Sequence, residues 1–252
     1  MTVVLWHIEI SHFNEKARWA LDYKGIPHEL RTPTPGLHRL TALRLTRGKH
    51  DRLPVMELEG RRIGDSTAII AALEDYKPEP ALYPADPADR QRTLALEDYF
   101  DEELAARVRR LLFTYAFKDP EATVEAALPQ AAGTARRTLM RALLPIARPI
   151  VRRDYDANEA ASADAREGIV AAMDRLEGEL GASGYLVGDE FSVADLTAAA
   201  LFTPLLAPKE RPYALPLPAA LAGFREELEA RPGGEWVTEI YARHRSEQLI
   251  AA

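Results

Sequence analysis

The stretch Ser11-His12-Phe13-Asn14-Glu15-Lys16-Ala17-Arg18, continuing through Trp19-Ala20-Leu21, decides how this chain is read. Phe13, Ala17, Ala20 and Leu21 recur at intervals of three and four, the period of a helix with one buried face. Ser11 is a good N-cap, because its side chain can accept from the free amides of a first turn, and Gly25 is a good helix stop. Upstream, Val3-Val4-Leu5-Trp6-His7-Ile8 is a β-branched and aromatic run suited to a buried strand. A strand running into a capped helix aims unpaired amides and the positive end of the helix dipole at one point. Here that point is Ser11.

Working outward, Ile26-Pro27-His28-Glu29-Leu30 reads as a second strand. A Pro-containing loop and a weak helix over Leu37 to Leu45 lead to Leu53-Pro54-Val55-Met56-Glu57-Leu58, which alternates as a strand does. A turn at Glu59-Gly60 and the run Arg61-Arg62-Ile63 complete a hairpin. Proline is tolerated at the start of a strand, and an X-Pro bond such as Leu53-Pro54 is the kind that can be cis. Asp65-Ser66 then caps the apolar helix Thr67-Ala68-Ile69-Ile70-Ala71-Ala72-Leu73. The predicted order is βαβα followed by ββα.

Lys77-Pro78-Glu79-Pro80 and Tyr83-Pro84-Ala85-Asp86-Pro87 form a Pro-rich linker, with Asp86 placed as an N-cap and Pro87 as the first helical residue. Beyond it nearly everything reads helical. Leu94, Asp98, Asp101, Leu104, Val108, Leu111 and Tyr115 fall on one side of a first long helix. Two more are expected around 120–147 and 162–180, with proline breaks at Pro129, Pro145 and Pro149. In Tyr185-Leu186-Val187-Gly188-Asp189-Glu190-Phe191-Ser192-Val193-Ala194-Asp195-Leu196, Ser192 and Asp195 stand as a shortened capping box. Phe191 and Leu196 stand as its hydrophobic staple.

These segments together resemble the cytosolic glutathione transferases. Ser11 to Arg18, Leu53-Pro54-Val55 and Asp65-Ser66 look like three segments that meet around one tripeptide in that family's N-terminal domain. The Ser192–Asp195 cap resembles that of the core helix in its C-terminal domain. The resemblance implies a thioredoxin-like, glutathione-binding domain over residues 1–77, a linker over 78–86 and an all-helical domain over 87–252. It implies glutathione as co-substrate, a homodimer and a role in detoxification.

Composition limits the chemistry. Net charge is −7, which argues against broad nucleic-acid binding. With no cysteine there is no disulfide, thiolate metal site or cysteine nucleophile, so thiol chemistry must use a ligand's thiol. His7, His12, His28, His38, His50 and His244 show no metal-ligand spacing. The N-terminus lacks the basic start and long apolar run of a secretory signal, and no apolar run is long enough to cross a membrane, so the expected location is cytoplasmic. Arg136-Arg137, Arg141, Arg148 and Arg152-Arg153, interleaved with leucines and isoleucines, suit either an anionic surface or a solvated helix face. The prolines favour the latter.

The resemblance places Ser11 where serine-type transferases carry their catalytic serine, and Asn14 at the second cysteine position of redox-active relatives. Ser11 as a helix cap alone is the plainer alternative. The resemblance also implies that Leu53 pairs through its backbone with the cysteinyl part, and that Asp65 and Ser66 hold the γ-glutamyl end. Lys49 would meet the glycyl carboxylate, with His50 or Arg52 as substitutes because His50-Asp51-Arg52 lengthen the connection to Leu53. A small apolar electrophile would sit between the domains. The candidates there are His12, expected to be an exposed first-turn residue, with Tyr99, Glu103, Arg107, Arg110 and Tyr115. Two other readings share the fold: a non-catalytic binding or interaction protein, and a glutathione-dependent isomerase or dehalogenase.

Overall fold

Strand β1 (Val3–Trp6) lies inside a four-stranded sheet ordered β2-β1-β3-β4. It runs parallel to β2 (His28–Arg31), and a parallel pair needs a crossover, supplied by α1 (His12–Tyr23). On its other side β1 pairs antiparallel with β3 (Val55–Leu58), which turns into β4 (Arg61–Gly64). Helix α2 (His38–Leu45) fills the connection from β2, and α3 (Ser66–Tyr76) follows β4. The computed structural model describes residues 2–34, 36–116, 118, 123–124, 128, 133–213 and 216–245.

The second strand begins later than its sequence suggests. The Gly25 amide donates to Asp22 O and the Ile26 amide to Leu21 O, at 2.9 and 3.0 Å. With Gly25 at φ 54°, this is a Schellman motif, so Ile26 belongs to the end of α1 and pairing starts at His28.

The second half is helical: α4 (Pro87–Tyr99), a π-helical turn (Phe100–Leu104), α5 (Ala105–Ala116), α6 (Thr134–Asp154), α7 (Glu159–Glu179), α8 (Val193–Leu206), a 3₁₀ turn (Ala219–Leu221), α9 (Ala222–Glu229) and α10 (Pro232–His244). The π turn corrects the expected face of the first long helix. An inserted residue rotates every later side chain by about 100°. Before the turn the buried set is Thr93, Leu96 and Glu97, while Leu94 is 39% exposed. From its last residue onward Leu104, Val108 and Leu111 are buried as expected.

Helix α6 runs through Pro145 and Pro149, so those two expected breaks do not occur. The prolines are four residues apart and both exposed, so the carbonyls one turn earlier that lose a helical donor lie on the water-facing side. The expected break at Pro129 and the helix start near Pro120 lie outside the described residues.

Helix α8 is buried along its whole length and packs against α1, joining both halves to one core. Its capping box is present: Asp195 accepts from the Ser192 amide at 2.9 Å, the Ser192 hydroxyl at 2.8 Å and the Leu186 amide at 2.8 Å. A second junction is polar. The Lys16 ammonium lies 2.8 Å from Glu97 and 2.6 Å from Asp101, and Thr67 joins the same group. The buried Lys24 ammonium binds the carbonyls of Lys77, Pro78 and Pro80 at 2.9, 3.2 and 2.8 Å, which fixes the connection into α4.

Candidate active site

Ser11 N-caps α1 with extended backbone angles, and its Oγ accepts from the Asn14 amide at 3.4 Å. A hydroxyl that accepts from the helix still has its own proton to give, so capping and donating are compatible. The loop before Ser11 is held carbonyl by carbonyl. Arg18 Nη1 donates to Ile8 O at 3.3 Å and Nη2 to Glu9 O at 3.0 Å, while Arg211 Nη2 donates to Ile10 O at 2.8 Å.

Arg18 is itself fixed by Glu15, at 2.8 Å, and by the face of Tyr213. Burial pushes the Glu15 carboxyl up, but Arg18 and Arg245 outweigh it and hold the group at about 2. The acid in the first turn of α1 is thereby neutralised within the fold. It does not cancel the positive helix end at Ser11. Arg211 has no equivalent signal in the sequence; it stands in a loop about two hundred residues downstream. Arg18 lies within the deciding stretch, yet only the folded loop reveals its role.

Of the other predicted ligand-binding residues, Leu53 is tied to this loop through Asn14, and the start of α3 is tied to α1 where Lys16 donates to the Thr67 hydroxyl at 2.9 Å. The Leu53-Pro54 peptide is cis, and both residues are buried. Asn14 Nδ2 donates to Leu53 O at 3.3 Å, and its Oδ1 accepts from the Ile8 amide at 3.1 Å. One buried side chain thus joins the Ser11 loop to the Leu53 loop. Asp65 caps α3 by accepting from the Ala68 amide at 3.1 Å, with its backbone at φ 76° and ψ 133°. A non-glycine residue there is strained by about 1–3 kcal/mol, a feature that gathers at binding sites. Ser66 follows at the start of α3 and is 3% exposed.

Lys49 is exposed and follows a left-handed turn at Arg47 and Gly48. The three residues after it are ordered rather than slack. The Thr46 hydroxyl accepts from the His50 amide at 2.9 Å, and the His50 ring covers Gly64 so closely that a Cβ there would stand 2.7 Å from it. Arg52 lies over the Tyr155 ring at 5.4 Å.

Among the second-pocket candidates, His12 alone is gathered beside Ser11, and it is not an exposed residue. It is 5% exposed and packs against Phe13, with ring centroids 4.9 Å apart. Burial lowers its pKa to about 3, assisted by Arg109 and Arg211, so its ring is neutral at physiological pH. The other candidates are engaged around α7. Arg175 lies over Tyr99 at 5.8 Å, Glu103 and Arg107 pair with each other, and Arg107 lies against Gly168. Arg110 meets Asp164 at 3.4 Å, and Tyr115 lies under Lys118 and Arg166. The π turn places this face of α5 against α7. In its place Arg109 faces Phe13 and Tyr155, a wall that spacing alone did not reveal.

Comparison with known proteins gives a consistent picture. Residues 5–81 match the family described as Glutathione S-transferase, N-terminal domain, and residues 149–232 match Glutathione S-transferase, C-terminal domain. Glutathione S-transferase U8 of Arabidopsis thaliana is 29% identical over 101 residues, covering 40% of this chain. That match spans 45% of the relative's length. Among solved structures, the beta-etherase LigF from Sphingobium sp. strain SYK-6 has a TM-score of 0.63 at 21% identity, over 95% of this chain and 99% of that one. A glutathione S-transferase from Methylobacterium radiotolerans, in complex with glutathione sulfonate, has a TM-score of 0.57 at 22% identity, over 98% and 95%. Both share the fold.

Proposed function

This chain belongs to the glutathione S-transferase family, and on that premise we propose that it holds glutathione as a thiolate at Ser11 for attack on a small electrophile with an apolar body. The observation that carries this reading is the junction of the arginine-held loop ending at Ser11 with the cis Leu53-Pro54 loop through Asn14, the start of α3 being held to the same helix α1 by Lys16 and Thr67.

The energetics are sufficient. A thiol of pKa near 8.5 is about 3% ionised at pH 7, and lowering the pKa to roughly 6.5 makes it about 75% ionised. Two units correspond to about 2.7 kcal/mol, within reach of a hydroxyl donor combined with a helix N-terminus. Neutral His12 adds no charge there, whereas the nearby Arg211 adds a positive one. In this reading the backbone of Leu53 pairs with the cysteinyl part of glutathione. The amide and hydroxyl of Ser66 take the γ-glutamyl carboxylate, and Asp65 faces its ammonium. Lys49 takes the glycyl carboxylate, with His50 and Arg52 as alternatives. The protein acts as a cytoplasmic homodimer without a metal.

Isothermal calorimetry tests the assignment. Glutathione binding is expected in the unmodified protein, with a sharp loss in an Asp65→Ala, Ser66→Ala double variant. Absence of detectable binding at millimolar glutathione overturns the reading.

A further inference from the structure

Among the described residues, most buried or half-buried arginines meet a carboxylate. Arg18 meets Glu15, Arg245 meets Glu15 and Asp22, Arg110 meets Asp164, and Arg231 meets Glu177. Arg109 differs. Among the described residues its guanidinium has no carboxylate partner, and its buried Nε has no hydrogen-bond acceptor. Instead it lies over two rings, 4.6 Å from the centre of Tyr155 and 5.6 Å from that of Phe13. Burial works against its charge, Tyr155 favours it to a lesser degree, and another cation, Arg52, opposes it.

Position gives this group its meaning. Phe13 is two residues from Ser11, Arg109 comes from α5 of the helical half, and Tyr155 follows α6 and stacks on Phe113 at 4.8 Å. Arg52, immediately before Leu53, covers Tyr155 from the other domain. Arg109 therefore joins an aromatic wall that begins in the first turn of the helix capped by Ser11, and it lies close enough to His12 to help lower that ring's pKa. Leaving a desolvated cation uncompensated is costly, and an arriving anion recovers that cost through a charge-assisted pair. The acids nearby do not serve, because Asp51 and Asp154 are both bound by Arg39, at 2.6 and 2.8 Å.

We propose that Arg109 recognises an acidic second substrate: an electrophile whose planar apolar frame lies against Phe13 and Tyr155 and whose carboxylate pairs with the guanidinium. This rests on the glutathione reading and narrows its electrophile. Arg211, tied to Ile10 on the Ser11 loop, serves the thiolate; Arg109 serves the electrophile.

Two probes with the same leaving group test it: 4-chloro-3,5-dinitrobenzoate, which is anionic, and 1-chloro-2,4-dinitrobenzene, which is neutral. In each the glutathione sulfur bonds to the ring carbon bearing chlorine, chloride leaves with the bonding pair, and the thiol proton passes to solvent. Each kcat/KM is divided by the probe's uncatalysed rate constant at the same pH. The unmodified protein should favour the benzoate, and the ratio of the two enhancements should fall about tenfold or more in Arg109→Leu and be partly restored in Arg109→Lys. Equal enhancement of both probes by the unmodified protein overturns the proposal without any variant. So does an Arg109→Leu ratio that stays unchanged, or a loss of glutathione affinity by calorimetry in that variant with both probes falling together. Failure of the unmodified protein to bind glutathione at all rejects the underlying reading instead.

Discussion

The side-chain amide of Asn14 donates to the carbonyl of Leu53 at 3.3 Å, a contact between residues 39 apart in sequence. Because the same side chain accepts from Ile8 at 3.1 Å, it sets the spacing between the Ser11 loop and the Leu53 loop. Asn14→Ala leaves a backbone donor and an acceptor without partners. The expected cost is about 1–3 kcal/mol in urea unfolding, together with weaker glutathione binding. A destabilised variant with unchanged affinity would limit Asn14 to a structural role.

Asp195 offers a test of the helical half. It is fully buried and accepts from two backbone amides and the Ser192 hydroxyl. An exposed cap costs about 1 kcal/mol on removal, but here buried donors at Leu186 and Ser192 are orphaned as well. Asp195→Ala should therefore lose about 3 kcal/mol or more, whereas Asp195→Asn, which keeps one acceptor, should lose less. Equal losses would mean that one retained acceptor does nothing for the cap and that both carboxylate oxygens are needed together.

What was legible in the sequence followed from local chemistry. Ser11, Gly25, Asp65, Asp86 and Ser192 act on amides or conformations a few residues away, so spacing reveals them. The π turn at Phe100–Leu104 has no local signature, and the misplaced Leu94 face follows from it. Arg211 reaches Ile10 across 201 residues, a distance at which no periodicity operates. The continuity of α6 through two prolines depends on their sharing an exposed side, which a residue-by-residue breaker rule ignores.

His7 makes the stability of the Ser11 loop depend on pH. Burial lowers its pKa to about 3, with Arg18 adding to the effect, and Arg18 Nη1 stands 2.8 Å from Nδ1. The ring must accept there, so protonation would set donor against donor. The folded pKa lies below the unfolded value of 6.5, so the unfolded chain takes the proton first. The contribution is complete above pH 6.5 and is lost progressively as pH falls toward 3. Between pH 6 and 4, His7→Gln should flatten the dependence of unfolding free energy by about 1.4 kcal/mol per pH unit. Parallel profiles for the two proteins would show that His7 titrates normally in the fold.

Ser11 has two roles that separate by substitution. Alanine removes both the cap acceptor and the hydroxyl donor, and costs about 1 kcal/mol of stability by the first loss alone. Glycine tolerates the cap position at a cost of only about a few tenths of a kcal/mol, yet it too lacks the hydroxyl. If Ser11 donates to the bound thiolate, Ser11→Ala and Ser11→Gly should raise the pKa of bound glutathione alike, by about one unit or more. Only the alanine variant should melt appreciably earlier. The readout is the ultraviolet absorbance of the thiolate across a pH titration of the complex. A glycine variant with the original thiol pKa would make Ser11 a cap alone and assign thiolate stabilisation to the helix end and Arg211.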